Sequence, residues 1–314
     1  MKVARVTSWG SAPVYSDVPD LPAPSPSQIQ VKVVAVSVPP LVRGRALGKH
    51  YSTRGASLPF DPSVDGVVQD EATGDLYYAS PMSGAALFAE RANVERRGLV
   101  KLAPGADPVA VATLVNPVSS SWMALRCRTV PEGGCEGATV LVLGATSTSG
   151  RGAIAVARSL GAARIIGMSR NEATLAAVPD LDERVVLQDP VSFPPDLGPV
   201  HIILDFVGGR AAVGVLQAAQ PEPGKELQYI HVGDLAGEDT IPLPANLLNS
   251  KPIRIAGSGM GAWSKEAIKR EIDPLLATIA KMPRPENVAV HKLADIESVW
   301  DSDEVRTKRL VFVP

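Results

Sequence analysis

The chain has 314 residues, of which 45% are apolar and 20% are charged, and its formal net charge is −2. This length allows two domains with separate cores, and the balanced charge argues against nucleic acid or an anionic membrane as a partner. No apolar run approaches the ~18 residues of a membrane span, and the N-terminus lacks the apolar core of a signal peptide. Cys127 and Cys135 fit neither a disulfide framework nor a metal site, which indicates reduced thiols in a cytoplasmic protein.

The first part of the chain, residues 1–116, has a β-rich pattern. Short β-branched runs such as residues 29–36 and 64–68 are separated by clusters of turn-forming residues. The proline-rich run at residues 21–27 is incompatible with regular helix or a central strand. These features predict a small barrel or sandwich.

A different sequence pattern begins at Thr139, where apolar strand patterns alternate with helical ones. The predicted strands are residues 139–143, 164–167, 184–187, 201–206 and 228–232, and the predicted helices are residues 150–160, 172–178 and 210–219. Such alternation predicts an α/β, doubly wound parallel sheet over residues 117–252. The remaining residues, 253–314, contain a strand at 253–257, a helix at 264–282 and a strand at 309–313. Because this stretch is short for a domain, we expect it to return to the first one.

The turn after the strand at 139–143 has the composition of a phosphate-binding turn. Small residues there let the backbone approach a pyrophosphate, and the N-terminus of the following helix offers N–H donors and partial positive charge. Gly144 suits the tight turn, and Gly150 suits a position where a side chain would block a ligand. Ser147, Thr148 and Ser149 add hydroxyl groups. The middle glycine of G-x-G-x-x-G is missing, so a tight turn without a ligand is the alternative interpretation.

A second glycine-rich run, residues 257–261, also follows a strand. Too little chain remains after it to build a nucleotide-binding half. We interpret it as a turn between domains whose glycines can still approach a cofactor.

The residues after the second strand of the parallel sheet indicate which nicotinamide cofactor binds. A carboxylate there would receive ribose hydroxyls and repel a 2′-phosphate, but this chain has Ser169, Arg170 and Asn171. Arg170 can grip a phosphate with two parallel hydrogen bonds, which predicts NADPH. The alternatives are a solvated Arg170, with Arg164 or Arg151 supplying the cation.

Several motifs together resemble a known family. They are VLVLGATSTSGRGA, DFVGG and HVGDLAG in the second part, and LPFDPSVDGVV and NPVSSSWMALR before it. The sequence is similar to the medium-chain dehydrogenase/reductase superfamily, and within it to the quinone oxidoreductase-like branch. The resemblance implies a GroES-like catalytic domain and a Rossmann domain with the active site between them. It places the phosphate turn at residues 147–150, the 2′-phosphate site at residues 169–171, and the nicotinamide contacts at Ser120, Val207, Gly208, His231, Gly233 and Gly257.

The resemblance also bears on metal and on proton donation. Zinc-dependent members carry Gly-His-Glu where this chain has Ser63, Val64 and Asp65, and Val64 cannot bind zinc. The sequence therefore predicts a zinc-independent enzyme. Tyr51 lies in a loop that faces the active site in this family, so its phenol is the candidate proton donor. The alternative is a structural tyrosine.

These inferences converge on an NADPH-dependent oxidoreductase that transfers hydride to a small-molecule enone or quinone without metal. A carbonyl or biosynthetic tailoring reductase on the same scaffold and a non-catalytic NADPH-binding protein are the alternatives. The apolar strand at 253–257 is predicted at the edge of the parallel sheet, and an unpaired edge predicts a homodimer with a continuous sheet.

Overall fold

A computed structural model describes residues 1–238 and 240–314, except for the side chain of Tyr51. Two compact units are present, one of residues Met1–Asn116 and Ile272–Pro314 and the other of residues Pro117–Glu271. Among the described residues, no helix is both long enough and apolar enough to cross a membrane.

The strands and helices follow one another in the order predicted for two linked folds. The strands are β1 Lys2–Arg5, β2 Val14–Asp17, β3 Gln28–Ser37, β4 Gly66–Gln69, β5 Leu76–Ala79, β6 Arg91–Glu95, β7 Leu99–Lys101, β8 Thr139–Leu143, β9 Arg164–Ser169, β10 Glu183–Val186, β11 Ile202–Asp205, β12 Leu227–His231, β13 Ile253–Gly257, β14 Val288–Lys292 and β15 Arg309–Val313. The helices are α1 Pro40–Ala46, α2 Pro108–Cys127, α3 Thr148–Ser159, α4 Glu172–Ala176, α5 Gly209–Ala218, α6 Ala245–Ser250, α7 Lys265–Ile279 and α8 Ile296–Val299.

The first unit is the β-rich one. Its larger sheet has the order β14-β15-β3-β4-β5-β7, with β6 paired to β3, and β1 and β2 form a separate antiparallel pair. The apolar side chains of these strands form one core, in which Phe88 packs edge-on against Phe312 and Trp300 at ring-centre distances of 6.0 and 6.3 Å. The chain thus closes its β-rich unit with its last strand, as the sequence predicts.

The second unit is built on a six-stranded sheet in the order β10-β9-β8-β11-β12-β13. All five strand pairings are parallel. All five residues of β8 are buried, as expected for a central parallel strand covered by helices on both faces. This strand order is that of the dinucleotide-binding α/β fold, which confirms the predicted fold class.

The boundary predicted between residues 252 and 253 needs correction. Strand β13 pairs with β12, with Gly257 opposite His231, so it completes the parallel sheet. The return to the first unit begins at Ile272, inside helix α7. The edge position predicted for this strand in the parallel sheet agrees with the pairing, whereas the boundary predicted before it does not.

Helix α2 is the one long element that the sequence analysis did not predict. Pro117 lies in its middle, and a proline removes a helical hydrogen bond and normally ends the pattern. The helix is apolar and largely buried on both sides of Pro117, and tertiary packing outweighs the local penalty.

Candidate functional site

The turn between β8 and α3 is held by a single side chain. The Ser147 hydroxyl donates to the carbonyl of Gly144 at 2.8 Å and accepts from the N–H of Gly150 at 3.0 Å, so it caps helix α3. Gly144 has a φ of +94°, which favours glycine and confirms the tight turn. The first turn of α3 leaves the N–H groups of Thr148 and Ser149 without intrahelical partners. These groups can therefore bind an anion.

Position 150 requires a glycine for a structural reason that differs from the predicted one. A Cβ atom at this position would lie 2.2 Å from the Gly144 carbonyl oxygen and 2.8 Å from Cα of Ala145. The missing side chain lets the start of α3 pack directly on the end of β8. The glycine thus brings the helix N-terminus close to the strand, and its predicted part in cofactor binding stays a prediction.

In the turn after β9, the side chains of two of the three predicted residues form hydrogen bonds with the described residues, and the third forms none. The Ser169 hydroxyl hydrogen-bonds that of Thr146 at 2.9 Å. Asn171 caps helix α4 through its Oδ1, which accepts from the N–H of Thr174 at 2.9 Å. The exposed Arg170 side chain makes no hydrogen bond or ion pair with any residue that the structure describes. Its guanidinium is therefore available for a ligand.

The two alternative arginines, Arg164 and Arg151, already form hydrogen bonds within the protein. Nε of Arg164 donates to Glu183 at 2.7 Å, at the opposite end of β9 from Arg170. Nε of Arg151 donates to the carbonyl of Thr146 at 3.4 Å. Of the three candidates, Arg170 is the one without a partner among the described residues.

These two turns line one groove of about 1190 Å³ in the second unit. Among the predicted residues, Gly144, Ser147, Ser169, Arg170 and Val207 line it. Its other lining residues are Thr146, Leu187, Gln188, Asp189, Pro190, Val191, Arg210, Ala211, Val213, Gly214, Gln217, Ala218, Leu235, Ala236, Glu238 and Pro242. Arg210 and the loop at residues 187–191 were not predicted, because their approach to the turns depends on the sheet order. The groove is lined by Ser147, the capping residue of α3, and by the free Arg170, whereas the predicted residues Thr148, Ser149, Gly150 and Asn171 do not line it. A helix N-terminus beside a free cation fits the phosphates of NADPH.

A buried carboxylate organises the turn between β11 and α5. Asp205 is fully buried and accepts hydrogen bonds from four donors: the N–H groups of Val207 at 2.8 Å and Gly208 at 3.0 Å, the phenol of Tyr229, and Nδ1 of His231 at 3.2 Å. Asp205 ends an apolar strand that the sequence predicts, but its partners come from two segments, the turn after β11 and strand β12. Its role was therefore not predicted.

His231, predicted to contact the nicotinamide, is held between two carboxylates. Its Nε2 lies 3.0 Å from Oδ1 of Asp234, on the far side of the ring from Asp205. The hydrogen bond to Asp205 is the main cause that raises the pKa of His231, and partial burial opposes it. Gly208, with a φ of +76°, lies against this pair, since a Cβ there would be 3.2 Å from Asp234 Oδ1.

The remaining predicted contacts lie outside the groove. The Ser120 hydroxyl donates to the carbonyl of Pro117 at 2.8 Å, within helix α2. The Gly257 carbonyl accepts from Nε of Arg128 at 2.8 Å. His231, Gly208 and Gly233 also do not line the groove. Tyr51 begins the 3-10 turn Tyr51–Thr53, and its side chain lies outside the described residues. The nicotinamide contacts and the proton donor stay predictions.

The region that resembles the zinc motif serves the fold of the first unit. Ser63 Oγ accepts from the N–H of Leu87 at 2.9 Å, and Asp65 accepts from the phenol of Tyr78 at 2.8 Å. In the described part of the chain, no group of three or more His, Cys, Asp or Glu residues could hold a metal ion. Zinc independence stays a prediction.

Comparisons with known proteins agree with this fold. No family model matches the sequence. A probable NADPH-dependent quinone reductase, tdiC from Emericella nidulans, is 44% identical, with 100% of each chain covered. Among solved structures, the quinone oxidoreductase of Thermus thermophilus has a TM-score of 0.74 at 22% identity, with 100% of each chain covered. A mycobacterial quinone oxidoreductase has a TM-score of 0.79 at 18% identity, again over 100% of each chain.

The solved structures establish the fold, and the full-length relative establishes the family. The chain belongs to the medium-chain dehydrogenase/reductase superfamily, in its quinone oxidoreductase branch. The resemblance carried by the glycine-containing motifs is thereby confirmed.

Proposed function

We propose that the chain is an NADPH-dependent reductase that transfers hydride to a quinone or an enone without a metal ion. The free guanidinium of Arg170, beside the N-terminus of α3 in one groove, is the observation that supports the cofactor. The name of the relative from Emericella nidulans supports the substrate class. A bound NADPH supplies the hydride, and the residues of this chain bind and orient it.

Two turns of the chain bind different phosphate groups of NADPH. The N–H groups at the start of α3 bind the pyrophosphate, which is favoured by the partial positive charge of a helix N-terminus. Arg170 pairs with the 2′-phosphate, which is the group that distinguishes NADPH from NADH. Ser169 and Asn171 hold the backbone on either side of Arg170, so the guanidinium can adapt to the phosphate.

Binding titrations with each cofactor test this assignment. Replacing Arg170 by Ala removes charge-assisted hydrogen bonds worth about 1.5–3 kcal/mol each, so NADPH binding should weaken about ten- to a hundredfold. NADH binding should change little, because NADH lacks that phosphate. Arg164→Ala is the matched control on the same strand and should leave both affinities unchanged. Equal weakening of both cofactors by Arg170→Ala would remove the support for NADPH.

Turnover is tested with purified protein, NADPH, and panels of quinones and enones. Oxidation of NADPH with loss of the substrate double bond or formation of a hydroquinone supports the proposal. An alcohol product indicates a carbonyl reductase, and binding without oxidation indicates a non-catalytic protein. Treatment with a chelator should leave the rate unchanged.

Tyr51→Phe tests the proton donor and should lower kcat with little effect on cofactor binding.

We infer a cytoplasmic homodimer that forms through β13. This strand ends the parallel sheet in the described part of the chain, and Ile255 in it is 40% exposed. An open apolar edge favours pairing with a second copy, and both cysteines are free thiols, as in a reducing compartment. Light scattering of wild type and Ile255→Lys should give a dimer and a monomer. Val290→Lys, on the edge strand β14 of the other sheet, is the matched control and should remain dimeric.

A further inference from the structure

The imidazole of His231 bridges two segments of the second unit. Nδ1 lies 3.2 Å from Oδ2 of Asp205, and Nε2 lies 3.0 Å from Oδ1 of Asp234. Carboxylate oxygens only accept hydrogen bonds, so both ring nitrogens must carry a proton to satisfy both contacts. The arrangement therefore selects the charged imidazolium over either neutral tautomer.

This bridge closes a junction that the backbone also forms. The N–H of Leu235 donates to the carbonyl of Phe206 at 3.0 Å, and the N–H of Ala236 donates to that of Val207 at 2.9 Å. Val207, Leu235 and Ala236 all line the groove. Asp205 and Asp234 belong to the same two segments, so the imidazolium ties together both sides of this groove wall.

We propose that His231 is a positioning residue whose imidazolium clips the loop after β12 to the turn after β11, so that cofactor affinity depends on its protonation. The inference rests on the proposed function, because it takes NADPH as the ligand of the groove. His231 acts here through the groove wall, which differs from the direct nicotinamide contact that the family resemblance implies.

The sign of the pH effect follows from the groups that face the imidazole. Asp205 comes from β11 and also accepts from Tyr229 of β12, and Asp234 comes from the loop. The bond to Asp205 raises the pKa of His231 above its ordinary 6.5. A group with a raised pKa contributes fully below its ordinary value, and the contribution is lost as pH rises through the raised one. The clip should thus be closed in mild acid and open in alkali.

The experiment measures NADPH affinity of the full chain from about pH 6.5 to pH 9 at constant ionic strength. Wild-type affinity should fall about three- to tenfold with rising pH, since a tenfold change corresponds to one pKa unit of coupling. His231→Gln should bind more weakly and without this fall. The 2′-phosphate ionises near a pKa of about 6, and its ionisation strengthens binding to Arg170, so it cannot produce a fall.

Two further variants separate the clip from a general loss of structure. Asp234 is 64% exposed at its side chain, so Asp234→Asn should fold normally and move the midpoint of the affinity curve to lower pH. His201→Gln is the matched control, because His201 also pairs with a carboxylate, Glu222, but precedes β11 at the other end of the strand. This variant should keep the wild-type pH dependence.

Proton NMR of the histidine ring gives an independent readout. The His231 resonance, identified by its absence in His231→Gln, should titrate at a higher pH once NADPH is bound. A pH-independent wild-type affinity, an unchanged titration on binding, or a His231→Gln variant that keeps the fall would overturn the clip. If no cofactor binds at any pH, the proposed function fails and the clip with it, whereas pH-independent binding overturns the clip alone.

Discussion

Two buried aspartate–tyrosine pairs, one in each unit, show how the same side chains serve different ends. In the β-rich unit the Tyr78 phenol donates to Asp65, which is 5% exposed, and in the parallel-sheet unit the Tyr229 phenol donates to Asp205, which is fully buried. Asp65 accepts no other hydrogen bond from the described residues, and the charge of Arg309 is its other support. Asp205 accepts three more.

The difference in hydrogen-bond partners indicates different roles for the two carboxylates. Asp65 is buried with little compensation for its charge, whereas Asp205 stabilises a turn. Burial raises the pKa of Asp65 to about 6, because one phenol and a cation do not replace its lost hydration. The donors on Asp205 include two backbone N–H groups of the turn that precedes α5, so its charge fixes that turn. The fully hydrogen-bonded Asp205 thus lies at the same edge of the sheet as the groove.

The largest expected effect is that of Asp205→Asn. An amide cannot accept from four donors, and its NH₂ group would face the N–H of Val207 or Gly208, so unfolding free energy should fall by about 3–5 kcal/mol. Urea denaturation of the full chain measures this fall. Asp65→Asn is the matched control and should cost less than half as much at neutral pH. Equal losses in the two variants would erase the distinction between the pairs.

The pH dependence of stability should reveal Asp65 next. Its pKa is raised in the folded chain from 3.8 to about 6, so the neutral acid is favoured by folding. Stability is then full below the unfolded value and decreases as pH rises through about 6, by up to about 3 kcal/mol. Urea midpoints between about pH 4 and pH 7 report this, and the decrease should be absent in Asp65→Asn. A decrease that persists in the variant would assign it to another group.

The smallest effects are expected from removal of the two phenol hydroxyls. Tyr78→Phe leaves Asp65 without a hydrogen-bond donor among the described residues and should lower the unfolding free energy by about 1.5–3 kcal/mol, as for other bonds to charged groups. Tyr229→Phe leaves Asp205 with three donors and should cost about 1 kcal/mol. Thermal and urea unfolding at neutral pH compare the two. A larger loss for Tyr229→Phe would mean that its phenol, not the backbone turn, is the main support of Asp205.

Local sequence patterns predicted much of the fold. Residues 139–143, 253–257 and 309–313 form strands with the predicted bounds, because runs of β-branched residues are a local signal. Residues 253–257 lie at the predicted edge of the parallel sheet, but the boundary was placed before them, because the membership of a segment in a domain is not a local property of the sequence. Helix α2 was missed because Pro117 interrupts its pattern.

The candidate site was predictable where its residues are contiguous in sequence. The turns at residues 144–150 and 169–171 were found from composition and spacing. The choice between Arg170 and Arg164 stayed open, since it depends on Glu183, which lies on the neighbouring strand. The role of Asp205 depends on donors from Tyr229 and His231, more than twenty positions away. Such convergence is set by the order of strands in the sheet.

The turn after β9 has a consequence for how cofactor preference changes in evolution. Ser169 and Asn171 are each fastened by their own hydrogen bond, to Thr146 and to the start of α4, and neither bond involves Arg170. A single exchange at position 170 therefore leaves the strand–helix junction intact. Under the proposed assignment of Arg170 to the 2′-phosphate, we expect cofactor preference to change through one codon without an unstable intermediate, so relatives with the same junction can differ in the coenzyme pool from which they draw electrons.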